Sequence, residues 1–150
     1  MTKRFFDGTH RTCTPQETVA RVRPLLARMG ITRIANVTGL DRTGVPVVMV
    51  CRPNSRSVTV SQGKGASLDA AKASGVMEAV ELWHAERIMR PLKLGSFEEM
   101  RSEHRVPDVA RLPQPADSRF SGDLPLLWIE GQDLFGGGAA WVPHELVSAN

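Results

Sequence analysis

Two glutamates, Glu78 and Glu81, have the residue type and spacing that could hold a divalent cation. With Ser74 they occupy positions i, i+4 and i+7, so on a helix the three side chains share one face. Two like charges three residues apart repel by roughly a few tenths of a kcal/mol, and a bound cation would remove that repulsion. Mg²⁺ takes one or two protein carboxylates together with phosphate oxygens and water. The alternative is a solvated acidic helix edge, the usual meaning of charges at helical spacing.

A glycine–lysine–glycine segment precedes these glutamates and could contact phosphate. Gly63, Lys64 and Gly65 follow a β-rich run and are predicted to form a turn before a helix that Ser67 caps. Glycines let a backbone approach an anion, a helix N-terminus offers its amides, and Lys64 adds a positive charge. The segment is not a Walker A motif, because Val58 and Gly65 stand where that motif has glycine and serine or threonine. The alternative is a tight turn with an exposed lysine.

The elements that must position these residues are a long helix and a three-stranded sheet. The helix is predicted from Ser67 to about Met89, with the two glutamates half-buried at the border of its apolar face. That face comprises Ala73, Val76, Met77, Val80 and Trp83. Strands are predicted at residues 33–38, 45–51 and 57–62, and the short turns between them favour antiparallel neighbours. The pattern predicts an α+β fold in which helices cover an antiparallel-rich sheet.

A shorter helix is predicted near the N-terminus. Thr14, Pro15 and Glu17 have the pattern of a capping box with proline at the first helical position. Pro24 is expected to kink or break this helix, and Gly30 is expected to end it.

The pattern weakens beyond residue 90. A short helix is predicted within residues 91–105, with Ser96 as its N-cap and Glu99 at the third helical position. Residues 106–124 are rich in proline, aspartate, arginine and serine, which predicts a long surface loop. Two strands within residues 125–143 are expected to form a hairpin.

The composition indicates a soluble globular protein. The 150 residues are about one domain's worth, and no apolar run reaches the roughly 18 residues that would span a membrane. The first six residues are too few and too polar for a signal peptide, so a cytoplasmic location is expected. Cys13 and Cys51 form no metal or disulfide pattern and are expected to be reduced. The net charge of +3 is mild and the arginines are scattered, which disfavours nucleic-acid binding.

Taken together, the motifs resemble the YcaO domain family. The resemblance rests on Gly63-Lys64-Gly65, Ser67, the pair Ala73-Ser74 and Glu78/Glu81, with flanking segments at residues 37–41 and 52–57. Proteins of this family use ATP and Mg²⁺ to activate a peptide backbone amide oxygen. The resemblance therefore implies ATP and Mg²⁺ as cofactors, with Glu78 and Glu81 as metal ligands and Ser74 supporting the acidic stripe.

The resemblance also implies phosphate contacts near the first helix. The family has a basic residue there, followed seven positions on by a hydroxyl, and Arg11 and Thr18 fit that pattern. Lys64 would face the same phosphates. The alternative is that Arg11 is a solvated loop residue and Thr18 a surface helix residue.

The match covers only the N-terminal part of a YcaO domain. We expect one partial domain over residues 1–150, with a core at 11–90, a loop-rich part at 91–124 and the hairpin at 125–143. The family's second set of nucleotide contacts, made by Glu, Arg and Gln residues, has no counterpart before Asn150. The chain is therefore expected to be a fragment or a degenerate gene product, and to bind ATP poorly.

The resemblance implies that the chain is the N-terminal portion of an ATP- and Mg²⁺-dependent enzyme, and that this enzyme phosphorylates peptide backbone amides. Its products would be azolines or thioamides in ribosomal peptide natural products. The expected partners are a precursor peptide and a protein that delivers sulfur or binds the leader peptide. The chain could also form a homodimer. Neither nucleic acid nor a membrane is expected as a partner. The alternatives are a non-catalytic module that docks a peptide or partner, and a fragment without activity.

Overall fold

The computed structural model describes residues 2–6 and 9–148, which fall into two units. The first unit ends at Arg87, and the second covers Ile88–Ser148. Asn150, where the family fold is expected to break off, lies outside the described residues. The single partial domain expected above stays a prediction.

Three antiparallel strands form the main sheet of the first unit. In spatial order they are β3 (Arg33–Asn36), β4 (Val47–Cys51) and β5 (Val60–Lys64). All three were expected, with somewhat different ends. β4 begins after Pro46, because proline lacks the N–H that a paired strand position donates. β5 continues through Gly63 and Lys64, which pair with β4. The predicted turn at these two residues is therefore wrong.

The long helix α2 (Leu68–Ala85) packs on this sheet. Ser67 caps it as predicted, since its Oγ accepts from the N–H of Ala70 at 3.2 Å. The helix ends at Ala85 and not near Met89. The N–H of Arg87 donates to the carbonyl of His84 at 3.0 Å, three residues back, so the last turn tightens and the α-helical ladder stops there.

The core of the first unit lies between α2 and the sheet. Its buried members are Met29, Ile31, Val48, Val50, Ala71, Val76 and Ala79. The buried stripe of the helix is centred on Ala71, Gly75 and Ala79. Met77 lies away from that stripe and is 39% exposed, so its predicted place on the apolar face is wrong.

The first helix, α1 (Pro15–Val22), carries the predicted capping box. Thr14 Oγ1 accepts from the N–H of Glu17 at 3.2 Å, and the Glu17 carboxylate accepts from the N–H of Thr14 at 2.7 Å. At Pro24 the helix gives way to a 3₁₀ turn, Arg23–Leu25, as the proline predicts. Gly30, with φ of 70°, follows this segment. An antiparallel pair, β1 (Arg4–Phe6) and β2 (Thr9–Arg11), precedes α1.

The second unit has its own three-stranded antiparallel sheet. The strands, in spatial order, are β6 (Leu92–Gly95), β7 (Leu126–Gln132) and β8 (Ala139–Pro143). β7 and β8 form the predicted hairpin, whereas β6 was not predicted. The helix α3 (Phe97–Glu103) has the expected capping box at Ser96 and Glu99.

A small core holds the second unit together around Trp128. This side chain is fully buried with Met100 and Val109, and its Nε1 donates to the carbonyl of Gly95 at 2.8 Å. The predicted surface loop at residues 106–124 is thus only partly correct, because Val109 anchors it in this core through a 3₁₀ turn.

The α+β class with antiparallel sheets and helices is confirmed. No helix in the described part of the chain has the length and apolar character needed to cross a bilayer.

Candidate metal and phosphate site

The acidic stripe of α2 lies on the solvent side of the helix. Glu78 and Glu81 are exposed and Ser74 is half-buried. The expectation of half-buried carboxylates is therefore wrong. Successive helical residues are about 100° apart, and the stripe is turned away from the face that meets the sheet. The spacing gave the shared face correctly but could not give the direction in which it points.

Neither carboxylate is engaged by another residue in the described part of the chain. Within residues 2–6 and 9–148, no hydrogen bond or ion pair involves the side chain of Glu78 or Glu81, and no three His, Cys, Asp or Glu residues are grouped as metal ligands. Two free carboxylates facing solvent fit a hard cation that keeps water and phosphate oxygens among its ligands. They are therefore available to Mg²⁺ as the resemblance implies.

The glycines before α2 serve the contact between strand and helix. A Cβ on Gly63 would collide with the carbonyl oxygen of Ala71 and the backbone of Gly75. A Cβ on Gly65 would meet the Cβ of Ala70 at 2.6 Å. Gly63 is also buried, so its lack of a side chain lets the helix backbone, and not an anion, approach the strand.

Lys64 lies on the sheet face opposite to α2. Along β5 the buried residues Ser61 and Gly63 alternate with the exposed residues Gln62 and Lys64. Because alternate residues of a strand point to opposite faces, Lys64 projects from the face that α2 does not cover. The acidic stripe belongs to the helix on the other side of this sheet, and no contact in the described residues joins Lys64 to it.

Arg11 and Thr18 lie at the end of β2 and in α1. Both side chains are half-buried, and the buried Nε of Arg11 has no hydrogen-bond partner among the described residues. The Thr18 hydroxyl donates to the carbonyl of Thr14 at 2.9 Å and lies 3.3 Å from the Cys13 sulfur. An arginine with an unsatisfied buried nitrogen has spare capacity to bind an anion.

The first turns of the two helices are linked directly. Gln16 Nε2 in α1 donates to Asp69 Oδ2 in α2 at 2.8 Å. Asp69 also faces Lys72, with 3.8 Å between the carboxylate and the ammonium. The N-termini of both helices, which carry partial positive charge, are thus held side by side.

Sequence reasoning missed a buried ion pair behind the acidic stripe. Arg52 Nη2 lies 2.6 Å from Glu86 Oε2, and the two side chains are 3% and 0% exposed. Arg52 Nη1 also donates to the carbonyl of Ala79 at 3.3 Å, and the Ser57 hydroxyl donates to Glu86 Oε1 at 2.9 Å. A pairing across 34 positions leaves no periodic signal in one sequence. The only hint was that Arg52 and Ser57 fall in the segment used for the resemblance.

The electrostatics of Glu86 reflect this surrounding. Burial raises the pKa of its carboxyl, but the hydrogen bonds from Arg52 and Ser57 and the charge of Arg52 outweigh burial and lower the pKa to about 2. Arg87 adds a further contact, with Nη1 3.2 Å from Glu86 Oε2. Glu86 is therefore an ionised, buried anchor at the end of α2.

The fold and this arrangement define an α+β protein with a candidate two-carboxylate cation site on the solvent side of α2. The model of the family described as YcaO cyclodehydratase, ATP- and Mg²⁺-binding, matches residues 62–149. Since this match covers more than half of the sequence, the chain belongs to the YcaO family, and the resemblance is confirmed.

Curated relatives share the sequence over most of this chain. An uncharacterised protein of Mycobacterium tuberculosis is 39% identical over 143 residues, which cover 95% of this chain and 32% of that protein. An uncharacterised protein from the tfuA 3′ region of Rhizobium leguminosarum bv. trifolii is 38% identical over 142 residues, covering 94% and 34%. The chain thus spans about a third of the length of the curated relatives it matches.

Solved structures share the fold. YcaO from Methanopyrus kandleri, bound with AMPPCP and Mg²⁺, matches with a TM-score of 0.70 at 26% identity, covering 99% of this chain and 36% of that one. A heterocyclase in complex with substrate and cofactor matches with a TM-score of 0.77 at 20% identity, covering 99% and 24%. The second likeness, at its low identity, concerns the fold alone.

Proposed function

We propose that this chain contributes the metal-binding helix and part of the phosphate site of an ATP- and Mg²⁺-dependent enzyme that activates peptide backbone amides. The observation that carries the proposal is the solvent-facing pair Glu78 and Glu81 on the α2 helix of a YcaO family member, which has no side-chain partner among the described residues. The family description names ATP and Mg²⁺, and the Methanopyrus kandleri relative was solved with AMPPCP and Mg²⁺.

The proposed reaction transfers the γ-phosphoryl group of ATP to a backbone amide oxygen, releasing ADP. A nucleophile then attacks the amide carbon, the carbon–oxygen bond breaks, and inorganic phosphate leaves with the former amide oxygen. A Cys, Ser or Thr side chain as nucleophile gives an azoline, and sulfide gives a thioamide. Bound Mg²⁺ would neutralise charge on the phosphate oxygens during the transfer.

The chain's own residues have distinct proposed tasks. Glu78 and Glu81 hold the metal, and Ser74 completes the polar stripe beside them. Arg11 and Thr18 contact phosphate at the start of α1, and the buried Nε of Arg11, which has no partner among the described residues, supports such a contact. Lys64 is proposed as an additional cation, with a smaller contribution because it extends from the opposite face of the sheet.

The proposed partners follow from the chemistry. A precursor peptide provides the amide, and a second protein delivers sulfur or binds the leader peptide. A homodimer in the cytoplasm, where ATP and reduced thiols such as Cys13 and Cys51 occur together, is the setting we propose.

Isotope transfer tests the reaction class. A precursor peptide encoded beside the gene is prepared with ¹⁸O in its backbone carbonyls and incubated with the full gene product, ATP and Mg²⁺. The proposal expects one ¹⁸O in the released phosphate for each azoline or thioamide formed. Phosphate carrying only oxygen from water, alongside normal ATP hydrolysis, would contradict amide activation.

A further inference from the structure

Two fixed points hold α2 against the rest of the first unit, and the acidic stripe lies between them. The first is the contact of Gly63 with Gly75, where neither residue has room for a side chain. The second is the ion pair of Arg52 and Glu86. Glu78 and Glu81 lie between residues 75 and 86 of the chain, so both points constrain them.

The ion pair of Arg52 and Glu86 contacts the helix at two positions along its axis. The Arg52 guanidinium reaches the carbonyl of Ala79 with one nitrogen and the carboxylate of Glu86 with another. These two acceptors are seven residues apart, which is about two helical turns. Ala79 directly follows Glu78, so the guanidinium fixes the turn that carries the first glutamate of the stripe.

The backbone of Arg52 is held in place by two hydrogen bonds. Its backbone N–H donates to the carbonyl of Thr59 at 2.7 Å, and its own carbonyl accepts from the N–H of Ser55 at 3.1 Å. The same turn supplies Ser57 to the Glu86 carboxylate and Arg56 to the Glu86 carbonyl. Residues 52–57 therefore form a clamp around the C-terminal end of α2.

Burying the charges of Arg52 and Glu86 carries a large desolvation penalty. Well-packed apolar residues of similar volume often stabilise a fold equally well or better than a buried ion pair. What the ion pair adds is direction, because a planar guanidinium whose two Nη atoms have defined acceptors favours one rotation and one axial position of the helix. The buried Nε of Arg52 has no hydrogen-bond partner among the described residues, so the two Nη atoms carry this constraint. That property matters where side chains on the helix must meet a ligand at a fixed geometry.

We propose that Arg52 and Glu86 are positioning residues that set the rotation and axial position of α2, and through it the geometry of the Glu78–Glu81 metal site. This inference rests on the proposed function. The residues that would meet the metal are exposed and unsupported by side-chain contacts of their own among the described residues, so the helix backbone is what orients them.

The test compares metal binding with stability in variants of the full gene product. The double variant Arg52→Met/Glu86→Leu removes both charges together, which avoids leaving one of them buried and unpaired. Binding of Mn²⁺, a paramagnetic substitute for Mg²⁺, is measured by electron paramagnetic resonance in the presence of AMPPCP at a temperature where circular dichroism shows full folding. Amide hydrogen exchange of residues 80–85 is measured on the same samples.

We expect affinity for the Mn²⁺–nucleotide complex to fall about 10- to 100-fold, as for other residues that orient metal ligands. Exchange of residues 80–85 should rise in the same variant. Arg52→Lys, which keeps the charge but has a single nitrogen to share between two acceptors, should give an intermediate loss of affinity. The matched control is the exposed pair in Arg101→Gln/Glu98→Gln, which should leave metal affinity unchanged.

Unchanged affinity in a folded double variant would overturn the positioning role, because replacing a pair that serves stability alone would change only the melting temperature. If the double variant does not fold, the same affinity measurement on Arg52→Lys tests the positioning role. Glu78→Gln separates the two claims. If it leaves metal affinity intact, the proposed function fails; if it weakens affinity while the Arg52 variants do not, only this inference fails.

Discussion

Gly63 of β5 and Gly75 of α2 meet backbone to backbone. A Cβ built on Gly63 would lie 2.8 Å from the Cα of Gly75, and a Cβ on Gly75 would lie 3.0 Å from the Gly63 nitrogen. Glycine at both positions is thus a requirement of the packing between strand and helix. The signature segment of the family includes Gly63, so part of that signature is structural in this chain.

Gly63→Ala is expected to destabilise the protein by about 1–3 kcal/mol or more, because the added methyl group meets main-chain atoms that cannot rotate away. Urea denaturation followed by circular dichroism measures the change. Gly131→Ala is the matched control, since the nearest atom to its added Cβ would be 3.7 Å away and its change should be small. Equal midpoints for the two variants would contradict the close contact.

Glu78→Gln is expected to leave the melting temperature without nucleotide unchanged or slightly raised. Its carboxylate is exposed and unpaired in the described structure, and the substitution removes a like-charge neighbour of Glu81. ATP hydrolysis should fall roughly a hundredfold, corresponding to about 3 kcal/mol of lost electrostatic stabilisation. Glu130→Gln, another exposed glutamate, is the control for both measurements. An early-melting Glu78→Gln with normal turnover would indicate a structural glutamate.

Arg11→Met is expected to weaken nucleotide binding more than Lys64→Met. Arg11 has a buried nitrogen without a partner among the described residues, whereas Lys64 extends from the sheet face opposite to α2. Isothermal titration with Mg·ATP gives both affinities, and circular dichroism checks that each variant is folded. A larger loss for Lys64→Met would place the phosphates on the other side of the sheet.

The buried carboxylate of Glu86 predicts a specific acid sensitivity. Its pKa in the folded protein, about 2, is below the ordinary 4.5 of a glutamate. A depressed pKa means that ionised Glu86 stabilises the fold above pH 4.5 and that this contribution is lost as the pH falls towards 2. Ser57→Ala removes one hydrogen bond to the carboxylate, so its pKa should rise and the contribution at neutral pH should shrink.

The measurement is the urea midpoint of wild type and Ser57→Ala between pH 2 and pH 7. The difference between the two proteins should be constant near neutral pH and should disappear at the acid end. Other carboxylates with lowered pKa values, Glu17, Asp41, Glu103 and Asp133, affect both proteins alike. Ser121→Ala, at an exposed serine, controls for the loss of a hydroxyl. A pH-independent difference would refute the link to Glu86.

Features that depend on a few neighbouring residues could be predicted from the sequence. The caps at Thr14, Ser67 and Ser96 were correct because each bonds an amide three residues away. The break of α1 at Pro24 follows from the chemistry of proline. The shared face of Glu78 and Glu81 follows from helical periodicity alone.

Features that depend on distant residues could not be predicted. The exposure of Glu78 and Glu81 is set by which side of α2 meets the sheet, and the close contact of Gly75 with Gly63 is part of that packing. The Arg52–Glu86 pair joins two segments 34 residues apart. Periodicity in a single sequence describes one element at a time and contains no information on such pairings.

The proposal that Glu78 and Glu81 bind the metal of a nucleotide complex can be tested by Mn²⁺ binding to the double variant Glu78→Gln/Glu81→Gln. Electron paramagnetic resonance of Mn²⁺ with AMPPCP and the full gene product separates protein-bound from free metal–nucleotide complex. We expect saturable binding to the wild type and to Glu130→Gln, and loss of that binding in the folded double variant. Wild-type affinity in the double variant would show that these two glutamates do not bind the metal.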